Sequence, residues 1–443
     1  MGNIIIPHSP IDSNYFYEDF YDFSDVLDAD DLDCITEILD EHVNILTGRK
    51  AFVQVFRDNI NLLAKHNPRP AVIAEIRKMI NFRNPENGTY YICPHCHFQK
   101  YAPFTCKSRF CPSCGNLFGM QKSNTICEHL LNVPHRMWTF TIPEDLRSVF
   151  EDRWDLIPIL FSSAEETIRA AFKRICPNAD IEPGFIGILH TFGRDEKFNP
   201  HVHFIVTEGG ITNRGKWFPT SFYKYEPLKI DYQDRLLKKL IGKLDHNFRK
   251  IAAEQKKKYP DGYVVNLPKP EEKLQSDPKK IVKYIARYIA RPCIACSRIL
   301  SYDGKRIKYR FVPHDSKEPM ELEMTGIEFV ETVSKHIPDS GFNVVRYYGL
   351  YNRSNKNSSA RLEKALHKDK TLSYLYSSEK KYYRAFFCHW RGAMIYRFKV
   401  DPLICPECNN ELIPLYSKYL GRVYYAPDTI PRYQTIPSSN RKS

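Results

Sequence analysis

His201-Val202-His203 places two imidazoles around one apolar residue, inside the run Asn199-Pro200-His201-Val202-His203-Phe204-Ile205-Val206. Alternate side chains on a β-strand share a face, so both histidines point one way and Val202 the other. Paired imidazoles on one face can hold a divalent cation. A third ligand is expected from a neighbouring strand. His190, in Leu189-His190-Thr191-Phe192, is the best-placed candidate, with Asp195, Glu196 and Glu208 as acidic alternatives. Alone, an H-x-H motif is more often the mark of a half-exposed strand, so the rest of the chain has to decide.

Lys283-Tyr284-Ile285-Ala286-Arg287-Tyr288-Ile289-Ala290-Arg291 supplies the second half of a reaction. Tyr284 and Tyr288 are four residues apart and share one helical face. Arg287 and Arg291 run beside them, Lys283 adds charge, and Ile281, Ile285 and Ile289 form the stripe that would be buried. In isolation such tyrosines cap a core. Beside a metal they suggest a specific step: the cation polarises a scissile phosphate and a tyrosine oxygen attacks it. The products are a 5'-phosphotyrosine and a free 3'-hydroxyl. Two tyrosines on one face could handle two strand ends in turn.

Cysteines carry a third chemistry. Cys93-Pro94-His95-Cys96 and Cys111-Pro112-Ser113-Cys114 are two C-x2-C knuckles with 14 residues between them. That spacing predicts one tetrahedral structural zinc held by Cys93, Cys96, Cys111 and Cys114. Cys106, His95 and His97 are surplus donors. Lys100, Lys107, Arg109 and Lys122 surround the module and are expected to touch DNA phosphates. Two further pairs, Cys293/Cys296 and Cys405/Cys408, could form a second zinc site with each other.

Elements that must position these groups are legible in the hydrophobic pattern. Apolar residues recur at helical spacing over 33–80, and the stretch 84–88 breaks the chain. Residues 138–142 alternate like a strand, 156–175 read as an amphipathic helix, and 184–192 and 200–206 as strands joined by a polar turn. Residues 236–258 read as one basic amphipathic helix, 262–280 as a surface segment, and 281–290 as a helix stopped by Pro292. Strands are expected over 306–312 and 320–324, and a helix over 327–336.

The chain has 443 residues, a formal net charge of +13 and 13% aromatics, including 28 Tyr. This length allows two or three domains, and the charge favours a polyanionic partner such as nucleic acid. Tyrosine beside Lys and Arg suits stacking on unpaired bases. The 13 cysteines, mostly in C-x2-C pairs, do not resemble a secreted disulfide framework. With no basic, apolar leader and no apolar run of roughly 18–20 residues, a cytoplasmic protein without membrane contact is expected. The acidic first 40 residues suggest no function.

Four motifs occur in order: Cys106-Lys107-Ser108-Arg109-Phe110-Cys111-Pro112-Ser113-Cys114, Asn199-Pro200-His201-Val202-His203, the Tyr284/Tyr288 helix, and Arg346-Tyr347-Tyr348-Gly349-Leu350. Together they resemble the two-tyrosine HUH transposases of rolling-circle bacterial insertion sequences, the IS-ninety-one-like group, over residues from about 85 to about 410. The tail knuckle resembles that family's C-terminal C-P-x-C. The resemblance implies an α+β fold: an HUH nuclease domain, an antiparallel sheet with helices packed on it, preceded by a small four-cysteine zinc-binding domain and N-terminal helices. The chain is expected to divide into an acidic arm and helices (1–84), the first part of which lies outside the resemblance, a zinc-binding domain (85–130), an HUH endonuclease domain (131–340) and a C-terminal region with a knuckle and basic tail (341–443).

The resemblance further implies a single-strand DNA endonuclease and strand transferase that nicks and rejoins insertion-sequence ends. By this resemblance His201 and His203 would hold Mg2+ or Mn2+, Tyr284 and Tyr288 would be the nucleophiles, and structural Zn2+ would sit on Cys93, Cys96, Cys111 and Cys114. From the residues themselves, His190 is the expected third ligand, and Lys107, Arg109, Lys283, Arg287 and Arg291 are expected to contact DNA. The partners implied are single-stranded DNA at the element ends and at the target. Alternatives with the same chemistry are a plasmid rolling-circle replication initiator and a conjugative relaxase. An alternative of another class is a non-enzymatic zinc DNA-binding regulator, which needs neither paired histidines nor paired tyrosines.

Overall fold

The computed structural model describes residues 46–425, apart from 82–86, 105, 107, 109, 179, 194–196, 221–225, 268–292, 313–317, 376–390, 392–394, 396–400 and 420. The described residues form a mixed α+β fold built on three antiparallel sheets.

In chain order, helices α1 (Gly48–Lys65) and α2 (Pro70–Ile80) precede strands β1 (Gly88–Ile92) and β2 (Gln99–Pro103). Helix α3 (Pro112–Cys127) leads to β3 (His135–Phe140) and α4 (Ile157–Ile175). The long hairpin β4 (Ile181–Phe192) and β5 (Phe198–Thr212) follows, then β6 (Trp217–Pro219), α5 (Glu226–Lys243), α6 (Phe248–Lys258) and β7 (Val265–Asn266). The chain continues through β8 (Ile299–Tyr302), β9 (Arg306–Phe311), β10 (Met320–Thr325), α7 (Gly326–Ser334), β11 (Val345–Gly349) and α8 (Lys356–Lys368). It closes with β12 (Ile413–Tyr419) and β13 (Arg422–Tyr425).

The central sheet runs β11-β4-β5-β3-β7, with β6 on the far end of β5. Both faces are covered, and strand alternation divides the residues between them. Val202, Phe204 and Val206 pack with Phe185, Leu189, Trp138 and Phe140 beneath α4 and α5. Helix α4 presents Leu160, Phe161, Ala164, Ile168 and Phe172 to this core at helical spacing. Each of the Leu, Ile and Phe side chains buried here stabilises the fold by about 1.5–3 kcal/mol. Ile205 and Ile211 face the other way with Ile186, Ile188 and Met137, against Ile126 of α3 and Leu362 and Ala365 of α8.

Sheet β10-β9-β8 packs against α1 and α7. Thr325 and Glu328 start α7 with a reciprocal capping box. The third sheet, β13-β12-β1-β2, joins chain segments more than 300 residues apart: Ile92 of β1 stands opposite Ile413 of β12. The C-terminal strands therefore complete the sheet begun by the first cysteine knuckle.

The basic stretch expected as one helix over 236–258 is two. Helix α5 ends at Lys243 and α6 begins at Phe248. Between them the Asp245 carboxylate accepts from the Asn247 backbone N–H, a local bond that competes with helical continuation. No described helix is long and apolar enough to cross a membrane.

Candidate metal centres

His190, His201 and His203 converge on one point. The β4–β5 register sets His190 directly opposite His201. His190 continues the row Ile186, Ile188 along one sheet face, and His203 continues the row of Ile205 on the same face. Across β3, Thr139 stands opposite His203 and Met137 opposite Ile205. One face of the sheet is thus apolar at one end and imidazole at the other. Ring centroids lie 5.4 Å apart for His190–His201, 4.7 Å for His190–His203 and 4.9 Å for His201–His203. One ring nitrogen from each residue lies within 4.8 Å of the others, a spacing that a single ion can bridge.

Hydrogen bonds orient the rings. His201 Nδ1 lies 2.7 Å from the Asn199 carbonyl oxygen, which can only accept, so Nδ1 carries the proton and Nε2 is left as the ligand atom. Thr139 Oγ1 lies 3.0 Å from His203 Nδ1. His190 stacks on Phe192 at 5.7 Å. Burial pulls the His201 and His203 pKa values below the ordinary histidine range. The charge of Arg147 adds to the effect at His201, and the neighbouring imidazoles add to it at His203. Neutral imidazoles are the form that binds metal.

Among the acidic alternatives, Glu208 is committed elsewhere. It is buried in an ion pair with Arg136, whose Nε donates to its carboxylate at 2.6 Å. Asp195 and Glu196 lie outside the described residues.

The cysteines separate into two clusters, so the single site expected from Cys93, Cys96, Cys111 and Cys114 is not the one that forms. Cys93 and Cys96 meet Cys405 and Cys408, whereas Cys111 and Cys114 meet Cys106. In the first cluster the sulfurs of Cys93 and Cys408 are 3.4 Å apart, those of Cys96 and Cys405 3.5 Å, and those of Cys96 and Cys408 3.4 Å. These compare with roughly 3.8 Å along the edge of a tetrahedral four-sulfur zinc site with bonds near 2.3 Å.

The two knuckles repeat one another. His97 N–H donates to the Cys93 carbonyl at 3.0 Å and Cys93 N–H to the Phe98 carbonyl at 2.8 Å; Asn409 and Cys405, with Asn410, make the same two bonds at the same lengths. His97 (φ 61°) and Asn409 (φ 58°) both take the left-handed conformation that closes the turn. The side-chain amide and backbone N–H of Asn410 hold the Cys408 thiol down to about 5, toward the thiolate that zinc requires.

Physically, the pairing of β1 with β12 decides which knuckles meet. Cys111 and Cys114 instead lie at the start of α3, where Phe110 packs on Phe52 and Phe56 of α1. Cys293 and Cys296 are buried in that same core, not beside Cys405 and Cys408 as the sequence suggested. C-P-x-C occurs at 93–96, 111–114 and 405–408, so the motif does not distinguish the observed partnership.

Tyr284, Tyr288, Lys283, Arg287, Arg291, Lys107 and Arg109 lie outside the described residues. The motif Arg346-Tyr347-Tyr348-Gly349-Leu350 is built into the fold through β11. Arg346 lies 4.5 Å above the Phe161 ring, and Tyr348 stacks on Phe185 at 5.2 Å. Gly349 has φ +55°, and a Cβ there would lie 1.8 Å from the Pro183 carbonyl oxygen.

A histidine triad on a central antiparallel sheet, with separate cysteine clusters, gives the protein donor sets able to hold metal ions. Comparison with known proteins makes this specific. A family described as "Putative transposase" matches residues 184–359, and one described as "Transposase zinc-binding domain" matches residues 53–142. The "Transposase for insertion sequence element IS801" of Pseudomonas savastanoi pv. phaseolicola is 29% identical over 275 residues, which cover 58% of this chain and 63% of that protein. The "Putative transposase y4qJ" of Sinorhizobium fredii is 26% identical over 284 residues, covering 59% of this chain and 70% of that protein. No solved structure matches. Residues 53–142 are thus similar to a transposase zinc-binding domain and residues 184–359 to a transposase, and this chain spans less than two thirds of the length of the Pseudomonas relative.

Proposed function

We propose that the protein is a transposase that nicks and rejoins single-stranded DNA at insertion-sequence ends through a 5'-phosphotyrosine. The observation that carries this reading is the convergence of three imidazoles on one point of a central sheet, with the His201 and His203 pKa values lowered by burial, in a chain with a net charge of +13. The matched transposase family and the named relatives support it.

His190, His201 and His203 would hold one Mg2+ or Mn2+, and an all-nitrogen donor set suits Mn2+ better than Mg2+. Bound there, the ion would stabilise charge on the scissile phosphate. Asn199 and Thr139 would keep two of the rings aimed. The nucleophiles are assigned to Tyr284 and Tyr288, which stand four residues apart in the sequence. The tyrosine hydroxyl loses its proton, its oxygen bonds to phosphorus, and the phosphorus–O3' bond breaks. The departing 3'-oxygen takes a proton. Reversal by another 3'-hydroxyl restores the phosphodiester without ATP.

The two cysteine clusters would hold structural Zn2+. Cys93, Cys96, Cys405 and Cys408 complete one tetrahedron, and Cys106, Cys111 and Cys114 provide three corners of another.

The test is incubation of purified protein with single-stranded oligonucleotides carrying candidate end sequences and Mn2+. A covalent adduct is expected, absent with chelator and in the Tyr284→Phe/Tyr288→Phe variant, with mass spectrometry locating the modified tyrosine. Tight binding with no adduct on any end sequence sinks the nuclease reading and leaves a zinc DNA-binding regulator.

A further inference from the structure

The sheet β13-β12-β1-β2 aligns four tyrosines in one row. Tyr101 stands opposite Tyr90, Tyr90 opposite Tyr416, and Tyr416 opposite Tyr425. Their ring centroids are 4.8, 4.7 and 6.1 Å apart in that order, so the row crosses all four strands. It lies on the face away from the Cys93/Cys405 cluster. Tyr91, one residue on from Tyr90 and on the opposite face, is the one that packs against that cluster. None of the four row tyrosines belongs to a hydrophobic cluster among the described residues.

The row opens at edge strand β13, where Tyr425 is 63% exposed. The other face of the same hairpin carries Tyr424 at 52% and Tyr419 at 50% exposure. Lys418 sets its ammonium 5.9 Å from the Tyr90 ring centre, and Arg422 is exposed at the start of β13. The four strands contain Lys100, Lys418 and Arg422 but no Asp or Glu.

Exposed aromatic surface of this extent marks an interaction site, and its charge selects the partner. Flat rings beside cations on an acid-free surface match the two parts of a single nucleic-acid strand, base faces and phosphates. A duplex buries its base faces in its own stack and shows only their edges in the grooves. A second copy of the chain paired along β13 would bring Lys418 and Arg422 toward their own counterparts, a like-charge contact.

We propose that the β12–β13 hairpin is a stacking platform for unpaired bases of single-stranded DNA. Tyr425 is the terminal ring of a supported row, Tyr424 is the ring on the opposite face, and Lys418 and Arg422 contact phosphates. Tyr90 and Tyr416 already touch, so a base stacks on the open end of the row and does not enter it. The inference rests on the proposed function only for DNA as the substrate. It assigns binding to a sheet made jointly by the first cysteine knuckle and the C-terminal strands, remote in sequence from the histidine triad.

The experiment compares the full chain with Tyr425→Ala, Tyr424→Ala and Tyr425→Phe, using fluorescently labelled oligo-dT and a duplex of equal length. Each Ala variant should weaken oligo-dT binding by roughly five- to a hundredfold, with duplex binding little changed. Tyr425→Phe, which keeps the ring, should bind as wild type. Zinc content equal to wild type shows that the sheet has folded.

Oligo-dT affinity unchanged in both Ala variants overturns the platform. So does a variant whose only change is loss of a dimer in sedimentation, which would mark the face as a contact between copies. The adduct assay reads the other proposal separately. An adduct with no dependence on Tyr425 or Tyr424 rejects the platform and keeps the nuclease. Ring-dependent binding without an adduct supports the platform and counts against the nuclease.

Discussion

His190 faces His201 across the β4–β5 ladder with ring centroids 5.4 Å apart. That single register makes a three-imidazole site out of a two-histidine motif, because a slip of one residue would turn His190 to the α4 side of the sheet.

Removal of His190 should therefore damage metal binding without unfolding the sheet. We expect His190→Ala to weaken Mn2+ binding by about a hundredfold, the upper end of what loss of even an outer-shell partner costs. Calorimetric titration with Mn2+ checks this, and an unchanged affinity removes His190 from the ligand set.

Thr139 tests the orientation of His203. Its hydroxyl lies 3.0 Å from His203 Nδ1, and Thr139→Val keeps the shape while deleting the bond. Mn2+ affinity should fall by about tenfold or more. The melting temperature should move little, since Thr139 is only partly buried.

Zinc stoichiometry distinguishes the observed clusters from the one suggested by spacing. With Cys93 and Cys96 facing Cys405 and Cys408, Cys405→Ser/Cys408→Ser should lower bound zinc by one ion per chain. It should also expose β12 and β13 to protease, because metal binding here is folding energy. Metal analysis by mass spectrometry reads the first effect and limited proteolysis the second. An unchanged zinc content would restore the grouping of Cys93 and Cys96 with Cys111 and Cys114.

Acid should destabilise the fold through His135. This residue is fully buried, hydrogen-bonds Tyr351 at 2.7 Å, and burial pushes its pKa down to about 4. A histidine held neutral in the folded state but free to protonate when unfolded loses stability as pH falls below its unfolded value near 6.5. The loss continues until the pH reaches the folded value. Between pH 7 and pH 5 it amounts to about 2 kcal/mol. Urea unfolding at the two pH values should show this increment in wild type and lack it in His135→Phe, whatever the baseline stability of that variant.

Local chemistry was legible in the sequence. Alternation along 200–206 placed His201 and His203 on one face, because a strand has a period of two residues whatever surrounds it. The C-P-x-C pattern marked each knuckle, because Cys, Pro and a following residue able to adopt positive φ build the turn locally. The hairpin of β4 and β5 and the helix Ile157–Ile175 were legible for the same reason: hydrophobic period is a short-range signal. Where residues 236–258 were expected as one helix, a single side-chain bond at Asp245 divided them.

Partnership over long sequence distances was not legible. Which knuckle meets which depends on β1 pairing with β12, across more than 300 residues, and spacing along the chain carries no trace of that pairing. The four-tyrosine row has the same origin, since two of its members come from each end of the described chain. Gly349, part of a motif that looked functional, is required because its backbone passes against Pro183 in another strand. Sequence by itself determined the donor types and the strand faces; the tertiary structure decided which donors converge. Side-chain alternation and turn chemistry are properties of neighbouring residues, whereas a metal site is closed by whichever strands the packed core brings together.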